Sequence, residues 1–230
     1  MNIPLKLSPA FKDYIWGGTR LRTEFGKKCS LEKVAESWEL SFHNDGPSVV
    51  DSGQNKGKLL KEIITESDLG DKCKNFTYFP VLNKFIDAKQ DLSLQVHPSD
   101  EYALKNEHSY GKTEMWYVIE AKNKSCLYIG FNRDVTKSEL VKRINDNTIL
   151  EIMNKIEVKS GDCYFIPSGT IHAIGKGCLI YEIQQNSNLT YRVYDYDRID
   201  KNGKKRELHV EKALNVINLK KYKPKTFLFF

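Results

Sequence analysis

Five residues in this chain have the types and spacing to perform chemistry together. Gln95 and His97 lie two apart, Lys112 and Glu114 lie two apart, and His172 closes a run from Gly161 that reads G-x5-P-x-G-x2-H. Side chains two apart on a strand point to one face, so each pair would project together. Pro167 and Gly169 would shape a tight turn that aims His172 inward. Two imidazoles, a carboxylate and an amide oxygen make a mixed nitrogen and oxygen donor set. Such a set suits Zn²⁺, and also Fe²⁺, Mn²⁺, Co²⁺ or Ni²⁺. A catalytic site of this kind keeps one position open for water or substrate. The amide of Gln95 is the unusual donor, supported by its spacing to His97. His43, His108 and His209 have no such context and receive no role.

The elements that must position these residues read mostly as short strands. Residues 34–42 alternate, with Val34, Trp38, Leu40 and Phe42 on one face and Glu36 interrupting it. Residues 81–86, 92–96, 115–119, 126–131, 163–166, 178–184 and 190–194 are further strand candidates. Three stretches and a last short one break the pattern. Residues 58–67 carry Leu59, Leu60, Ile63 and Ile64 at helical spacing. Residues 99–108 open on Ser99 and Asp100, good helix caps. Residues 136–154 read as two short helices, and residues 211–218 as a last one. Many short strands with a few helices predict a mainly β fold, a jelly-roll barrel with short helical insertions. Residues 226–230 read as a strand awaiting a partner.

Composition narrows the classes. The chain has 230 residues, 40% of them hydrophobic and 29% charged, with a formal charge of +6. That is an ordinary soluble globular balance with length enough for a sizeable core. The short basic runs at 204–206 and 220–223 have none of the interleaved aromatics of a nucleic-acid surface. No apolar stretch approaches a membrane span, and residues 1–6 contain no signal-like apolar segment. The five cysteines are odd in number and contain no C-x-x-C pair. The expectation is a cytoplasmic, reducing environment, with no nucleic-acid or membrane partner.

The spacing from Gly161 to His172 is that of the cupin β-barrels, whose final histidine is usually a metal ligand. Cupins commonly open their first motif with H-x-H and often end the second with an asparagine. Here Gln95 replaces the first histidine, residues 98–113 separate His97 from Glu114, and Lys176 stands in the asparagine's place. These departures match one branch. Ser93-Leu94-Gln95-Val96-His97-Pro98-Ser99-Asp100, Gly111-Lys112-Thr113-Glu114-Met115-Trp116-Tyr117 and Tyr181-Glu182-Ile183-Gln184-Gln185-Asn186-Ser187 resemble the zinc-dependent type I mannose-6-phosphate isomerases. So do Trp16-Gly17-Gly18, the segment 189–198 and the segment 203–216. The resemblance runs from about residue 5 to 219 and is closest to the short bacterial members.

What the resemblance implies is specific. It implies one zinc ion per chain on Gln95, His97, Glu114 and His172, an active-site arginine at Arg192, a conserved lysine near the metal at Lys112 and a pocket serine at Ser93. The implied reaction interconverts mannose 6-phosphate and fructose 6-phosphate through an enediol. Arginine does not deprotonate at neutral pH, so Arg192 suits a phosphate clamp. Lys112 is a candidate base, with Glu182 or a water at the metal as alternatives. Arg198, six residues after Arg192, is a second phosphate candidate if both share a strand face. Family members usually continue into a second small β-domain. Residues 1–219 therefore read as the metal-binding domain and 220–230 as a linker or the truncated start of another, in a monomer or a dimer. The rival readings are a non-catalytic sugar-binding metallo-cupin, or another cupin enzyme such as a glucose-6-phosphate isomerase or an oxygenase.

Overall fold

The computed structural model describes residues 4–73, 76, 78–200 and 202–227. In chain order the strands are β1 (Leu7–Ser8), β2 (Ala10–Lys12), β3 (Glu36–Leu40), β4 (Val49–Val50), β5 (Val81–Asp87), β6 (Leu94–Val96) and β7 (Glu114–Ala121). They continue as β8 (Cys126–Phe131), β9 (Met153–Glu157), β10 (Cys163–Ile166), β11 (His172–Ile174), β12 (Cys178–Gln185), β13 (Tyr191–Tyr194) and β14 (Thr226–Phe227). The α-helices are α1 (Arg20–Thr23), α2 (Asp100–Asn106), α3 (Lys137–Asn145) and α4 (Val210–Leu214). A seven-stranded sheet, ordered β14-β10-β7-β12-β5-β3-β2, packs on a five-stranded sheet ordered β13-β6-β11-β8-β9. This is the jelly-roll barrel that the strand pattern predicts.

The two sheets differ in how legible they are. In the seven-stranded sheet β5 and β7 alternate. In β5, Leu82, Lys84 and Ile86 are buried while Val81, Asn83 and Phe85 are half-buried. In β7, Glu114, Trp116 and Val118 are buried and the residues between them are not. Every residue of β8, in the smaller sheet, is buried. Its inward residues Leu127 and Ile129 join the barrel core with Trp116, Ile166, Ile174 and Ile180. Its outward residues Cys126 and Tyr128 join a second core with Leu140 and Ile144 of α3 and Ala213 of α4. The helices thus cover the outer face of the five-stranded sheet, and burial on both faces erases the polar alternation.

Local chemistry explains which helices form. Ser99 Oγ accepts from the Tyr102 amide, starting α2, and Thr136 Oγ1 accepts from the Glu139 amide, starting α3. The expected helix over 58–67 is replaced by two 3-10 turns, Leu60–Glu62 and Glu66–Leu69. Glu62 accepts from the Leu59 amide and Asp68 from the Thr65 amide. Two caps six residues apart start separate turns and prevent one continuous helix. Over 136–154 only α3 is an α-helix. A 3-10 turn at Ile149–Ile152 follows, and Met153 already belongs to β9.

The described part of the tail, up to residue 227, runs back along the barrel. The Tyr222 amide donates to the Phe131 carbonyl at 2.9 Å, and β14 pairs antiparallel with β10. Residues 228–230 of the expected terminal strand lie outside the described residues. No helix among the described residues is long and apolar enough to cross a membrane.

Candidate active site

Three neighbouring strands of the smaller sheet place a row of polar side chains inside the barrel. Gln95 of β6 sits opposite His172 of β11 on one side and opposite Arg192 of β13 on the other. His97 follows β6, and Glu114 opens β7 in the facing sheet. One ring nitrogen from each of His97 and His172 and one carboxylate oxygen of Glu114 lie within 4.8 Å of one another, and all three residues are buried. The site is therefore assembled across the barrel, one carboxylate from the larger sheet and two imidazoles and an amide from the smaller.

Backbone carbonyls set the donor atoms. His97 Nδ1 is 2.8 Å from the Leu189 carbonyl, and His172 Nδ1 is 2.8 Å from the Thr170 carbonyl. A carbonyl oxygen only accepts, so each Nδ1 carries the proton and each Nε2 offers a lone pair. Burial, with Lys112 nearby, holds the His97 pKa well below the ordinary histidine value. Burial also lowers that of His172 despite the opposing pull of Glu114. Both rings are thus neutral near pH 7, the form that binds a metal. The two Nε2 atoms face Glu114, at 3.5 Å from Oε2 for His97 and 3.2 Å from Oε1 for His172. Neither Glu114 oxygen makes a well-aligned hydrogen bond, although Lys112 Nζ lies 2.7 Å from Oε2. A buried carboxylate without hydrogen bonds is costly unless a cation takes its charge. Lys112 meets that need at Oε2, and a divalent metal would meet it at Oε1, which faces His172 Nε2. Gln95 Nε2 is 3.4 Å from His172 Nε2. The alternative amide orientation turns an oxygen toward the same point, which suits a fourth ligand.

A cavity of about 250 Å³ adjoins this cluster and is lined by Gln95 and Lys112 among others. A row of charged and aromatic residues runs in register through the larger sheet, and its Lys84 and Glu182 line the cavity. Trp38 of β3, Lys84 of β5, Glu182 of β12 and Trp116 of β7 are successive cross-strand neighbours. Lys84 Nζ is 3.1 Å from Glu182 Oε1 and 3.2 Å from Glu36 Oε2. Trp116 Nε1 donates to Glu182 Oε2 at 2.8 Å, and Trp38 Nε1 to Glu36 Oε2 at 2.7 Å. Lys112 Nζ stands 3.5 Å from Glu182 Oε1, joining this ladder to the metal cluster. Burial alone would raise the Glu182 carboxyl, but Lys112 and Lys84 outweigh it and hold the pKa well below the usual range. Burial presses Lys84 down, and Glu182 and Glu36 overcome it, leaving the amine above its ordinary value.

The residues singled out by spacing, and those that the resemblance implies, divide accordingly. Ser93, Gln95, Lys112, Glu182 and Arg192 line the cavity, and His97, Glu114 and His172 form the adjoining cluster. Arg198 does not line it. β13 ends at Tyr194, so Arg192 and Arg198 share no strand face. Arg198 turns away to the Asp91 carbonyl and to Asp195. Spacing also missed Lys84, Glu36 and Arg206, which all line the cavity. Two of these left a signal. Glu36 is the residue that breaks the apolar face of β3, and Lys84 sits between Leu82 and Ile86 on the buried face of β5. Arg206 lies outside any strand or helix and left none.

Comparison with known proteins places this geometry. The family model described as phosphomannose isomerase type I, catalytic domain, matches residues 4–114. Mannose-6-phosphate isomerase ManA of Bacillus subtilis (strain 168) is 44% identical over 223 residues, covering 94% of this chain and 68% of that protein. Mannose-6-phosphate isomerase of Streptococcus mutans is 45% identical over 222 residues, covering 96% of this chain and 70% of that one. The crystal structure of mannose 6-phosphate isomerase from Bacillus subtilis superposes with a TM-score of 0.87 at 46% identity, covering 94% of this chain and 69% of that chain. With relatives this similar over nearly its whole length, the chain belongs to the type I phosphomannose isomerase family.

Proposed function

We propose that this protein is a metal-dependent aldose–ketose isomerase that interconverts mannose 6-phosphate and fructose 6-phosphate, with zinc as its metal. The observation that carries the reading is the buried His97, Glu114 and His172 cluster opening onto a cavity of balanced lysines and carboxylates. The names of the similar bacterial enzymes support the substrate. His97 Nε2, His172 Nε2, a Glu114 oxygen and the Gln95 amide oxygen would hold the ion. Bound there, it supplies Lewis acidity that stabilises negative charge developing on the sugar oxygens next to the reacting carbons.

The remaining work falls to side chains. Isomerisation moves a proton between neighbouring carbons, and the chain must hold that proton in transit. Lys112 Nζ lies between the metal ligands and Glu182, so the Lys112–Glu182 pair is the proton carrier. Lys84 keeps Glu182 ionised and fixed in place. The indoles of Trp38 and Trp116 hold the two carboxylates from the apolar side and restrict water there. Ser93 offers a hydroxyl to the sugar, and Arg192 offers a permanent cation to its phosphate.

A coupled assay with mannose 6-phosphate, run with and without chelator beside elemental analysis, tests this. One equivalent of zinc per chain and turnover that chelation abolishes and zinc restores are expected. Zinc-loaded protein with no turnover would overturn the isomerase reading.

A further inference from the structure

One hydroxyl at the cavity wall has no partner within the chain. Three hydroxyl-bearing side chains line the cavity, those of Tyr14, Ser93 and Thr190. Thr190 Oγ1 donates to the Asn188 carbonyl at 3.4 Å. Tyr14 is half-buried, and its hydroxyl makes no hydrogen bond among the described residues. A tyrosine that turns its ring into a protein usually finds a partner for its O–H.

The backbone fixes where this ring lies. β2 ends at Lys12, opposite Glu36 of β3. The chain then turns, and the Gly17 amide donates to the Tyr14 carbonyl at 2.9 Å. Gly17 lies flat on Ala35, where a Cβ would come to 2.6 Å of the Ala35 Cβ, and it bridges to Ala88 just after β5. The Tyr14 ring packs on Trp16, with centroids 5.5 Å apart, and on the barrel core. The charges that act on its hydroxyl are, in falling order, Glu36, Lys84, Asp45 and Arg192, and all but Asp45 line the cavity. Burial and the Glu36 charge push the phenol up to about 12, so near pH 7 it is a donor and not a base. The strand order β7-β12-β5-β3 sets Glu36 three strands from Glu114, roughly 14 Å along the sheet. Tyr14 therefore stands away from the metal cluster, where C1 and C2 of the sugar must react.

We infer that Tyr14 is a substrate-binding residue whose hydroxyl donates to the oxygen on C3 or C4 of the sugar phosphate. This deepens the isomerase reading and rests on it for the identity of the sugar. The reacting carbons are at one end of the substrate and the phosphate is at the other, so C3 and C4 carry the hydroxyls that lie between. A sugar hydroxyl oxygen accepts the proton for which the chain offers no acceptor. The contact is the same before and during proton transfer, because C3 and C4 do not react. It fixes how the sugar lies along the cavity and leaves the chemical barrier alone.

The test compares the zinc-loaded full chain with its Y14F variant, which keeps the ring and loses one oxygen. KM for mannose 6-phosphate should rise about three- to tenfold, the range of one neutral hydrogen bond. kcat should stay within about twofold, as expected when uniform binding is removed. Inhibition by inorganic phosphate, which has no C3 or C4, should not change. Mannose 6-phosphate lacking the hydroxyl at C3 or at C4 closes a cycle between residue and substrate. Y14F should leave KM unchanged for one of these two deoxy sugars and raise it for the other as for the parent. Near-UV circular dichroism and melting temperature establish that the variant is folded. An unchanged KM for mannose 6-phosphate overturns the inference. So does a KM that rises equally for the parent and both deoxy sugars, or a phosphate inhibition weakened by the same factor, since the ring would then only shape the cavity. A wild-type chain that turns over mannose 6-phosphate, with Y14F indistinguishable from it, overturns this inference alone. A zinc-loaded wild-type chain without turnover overturns the isomerase reading instead.

Discussion

The donor atom at each histidine is decided by one backbone carbonyl. The Leu189 and Thr170 oxygens each take an Nδ1 proton, so both Nε2 lone pairs point at Glu114. His97→Ala or His172→Ala should therefore remove bound metal and leave a folded barrel. The loss of turnover should exceed the about 10–100-fold that loss of an outer partner costs at metal sites. Elemental analysis with the coupled assay checks it, and full activity in a metal-free double variant would sink the metal site. Lys84 is a different case. It is buried between Glu36 and Glu182, so Lys84→Met leaves two carboxylates in the core with their cation gone. A destabilisation of about 3–5 kcal/mol is expected in urea unfolding. A cost under about 1 kcal/mol would mean the pair is solvated.

Elements carry these residues to one place through tight backbone contacts. Lys112 reaches the site on a segment whose backbone lies directly on the start of α2. The Lys112 amide donates to the Pro98 carbonyl at 3.0 Å, and the Gly111 amide to Asp100 Oδ1 at 2.8 Å. A Cβ on Gly111 would meet the Ser99 carbonyl carbon at 2.4 Å and the Asp100 nitrogen at 2.5 Å. These are backbone atoms that cannot rotate away. Gly111→Ala should cost about 1–3 kcal/mol through overpacking. Because the displaced segment holds Lys112, kcat should fall as well. Thermal melting beside kinetics reads both, and a variant that melts lower with unchanged kcat would show that Lys112 is positioned independently. The turn before His172 uses its glycine differently. Gly169 adopts φ +81° while its amide donates to the His97 carbonyl at 2.8 Å. One residue thereby ties the two histidine-bearing segments together, and only glycine takes that conformation at no steric cost.

Across the whole molecule the candidate ligand set bridges the barrel, because Glu114 belongs to one sheet and His172 to the other. Metal binding then favours the folded state over the unfolded one. At a free zinc concentration a hundredfold above Kd the stabilisation is about 2.7 kcal/mol. A chain of this size should then melt about 5–10 °C higher with zinc than after chelation. Scanning calorimetry of both forms measures it. Identical melting temperatures in forms shown to differ in metal content would mean that the ion does not link the sheets.

The sequence by itself singled out residues that the fold brings together in the candidate site. Gln95, His97, Lys112, Glu114 and His172 were legible because strand periodicity puts residues two apart on one face, and because G-x5-P-x-G-x2-H marks a turn that only certain residues can make. It also revealed the strands of the larger sheet other than β2, because that sheet has one half-exposed face. The doubly buried β8 was readable as a strand, but which of its residues face the barrel was not, since burial on both faces leaves no alternation. The caps at Leu59 and Thr65 overruled a helical pattern in the same way, through local hydrogen bonds that periodicity does not register. Only the tertiary structure decided the partners. Lys84 and Glu182 are ninety-eight positions apart and become neighbours when β5 pairs with β12. Arg206, not Arg198, faces the cavity because the chain leaves β13 at Tyr194 and the single carboxylate of Asp195 orients both arginines. Periodicity is a property of neighbours along the chain, whereas a buried charge is placed by whatever the fold brings against it.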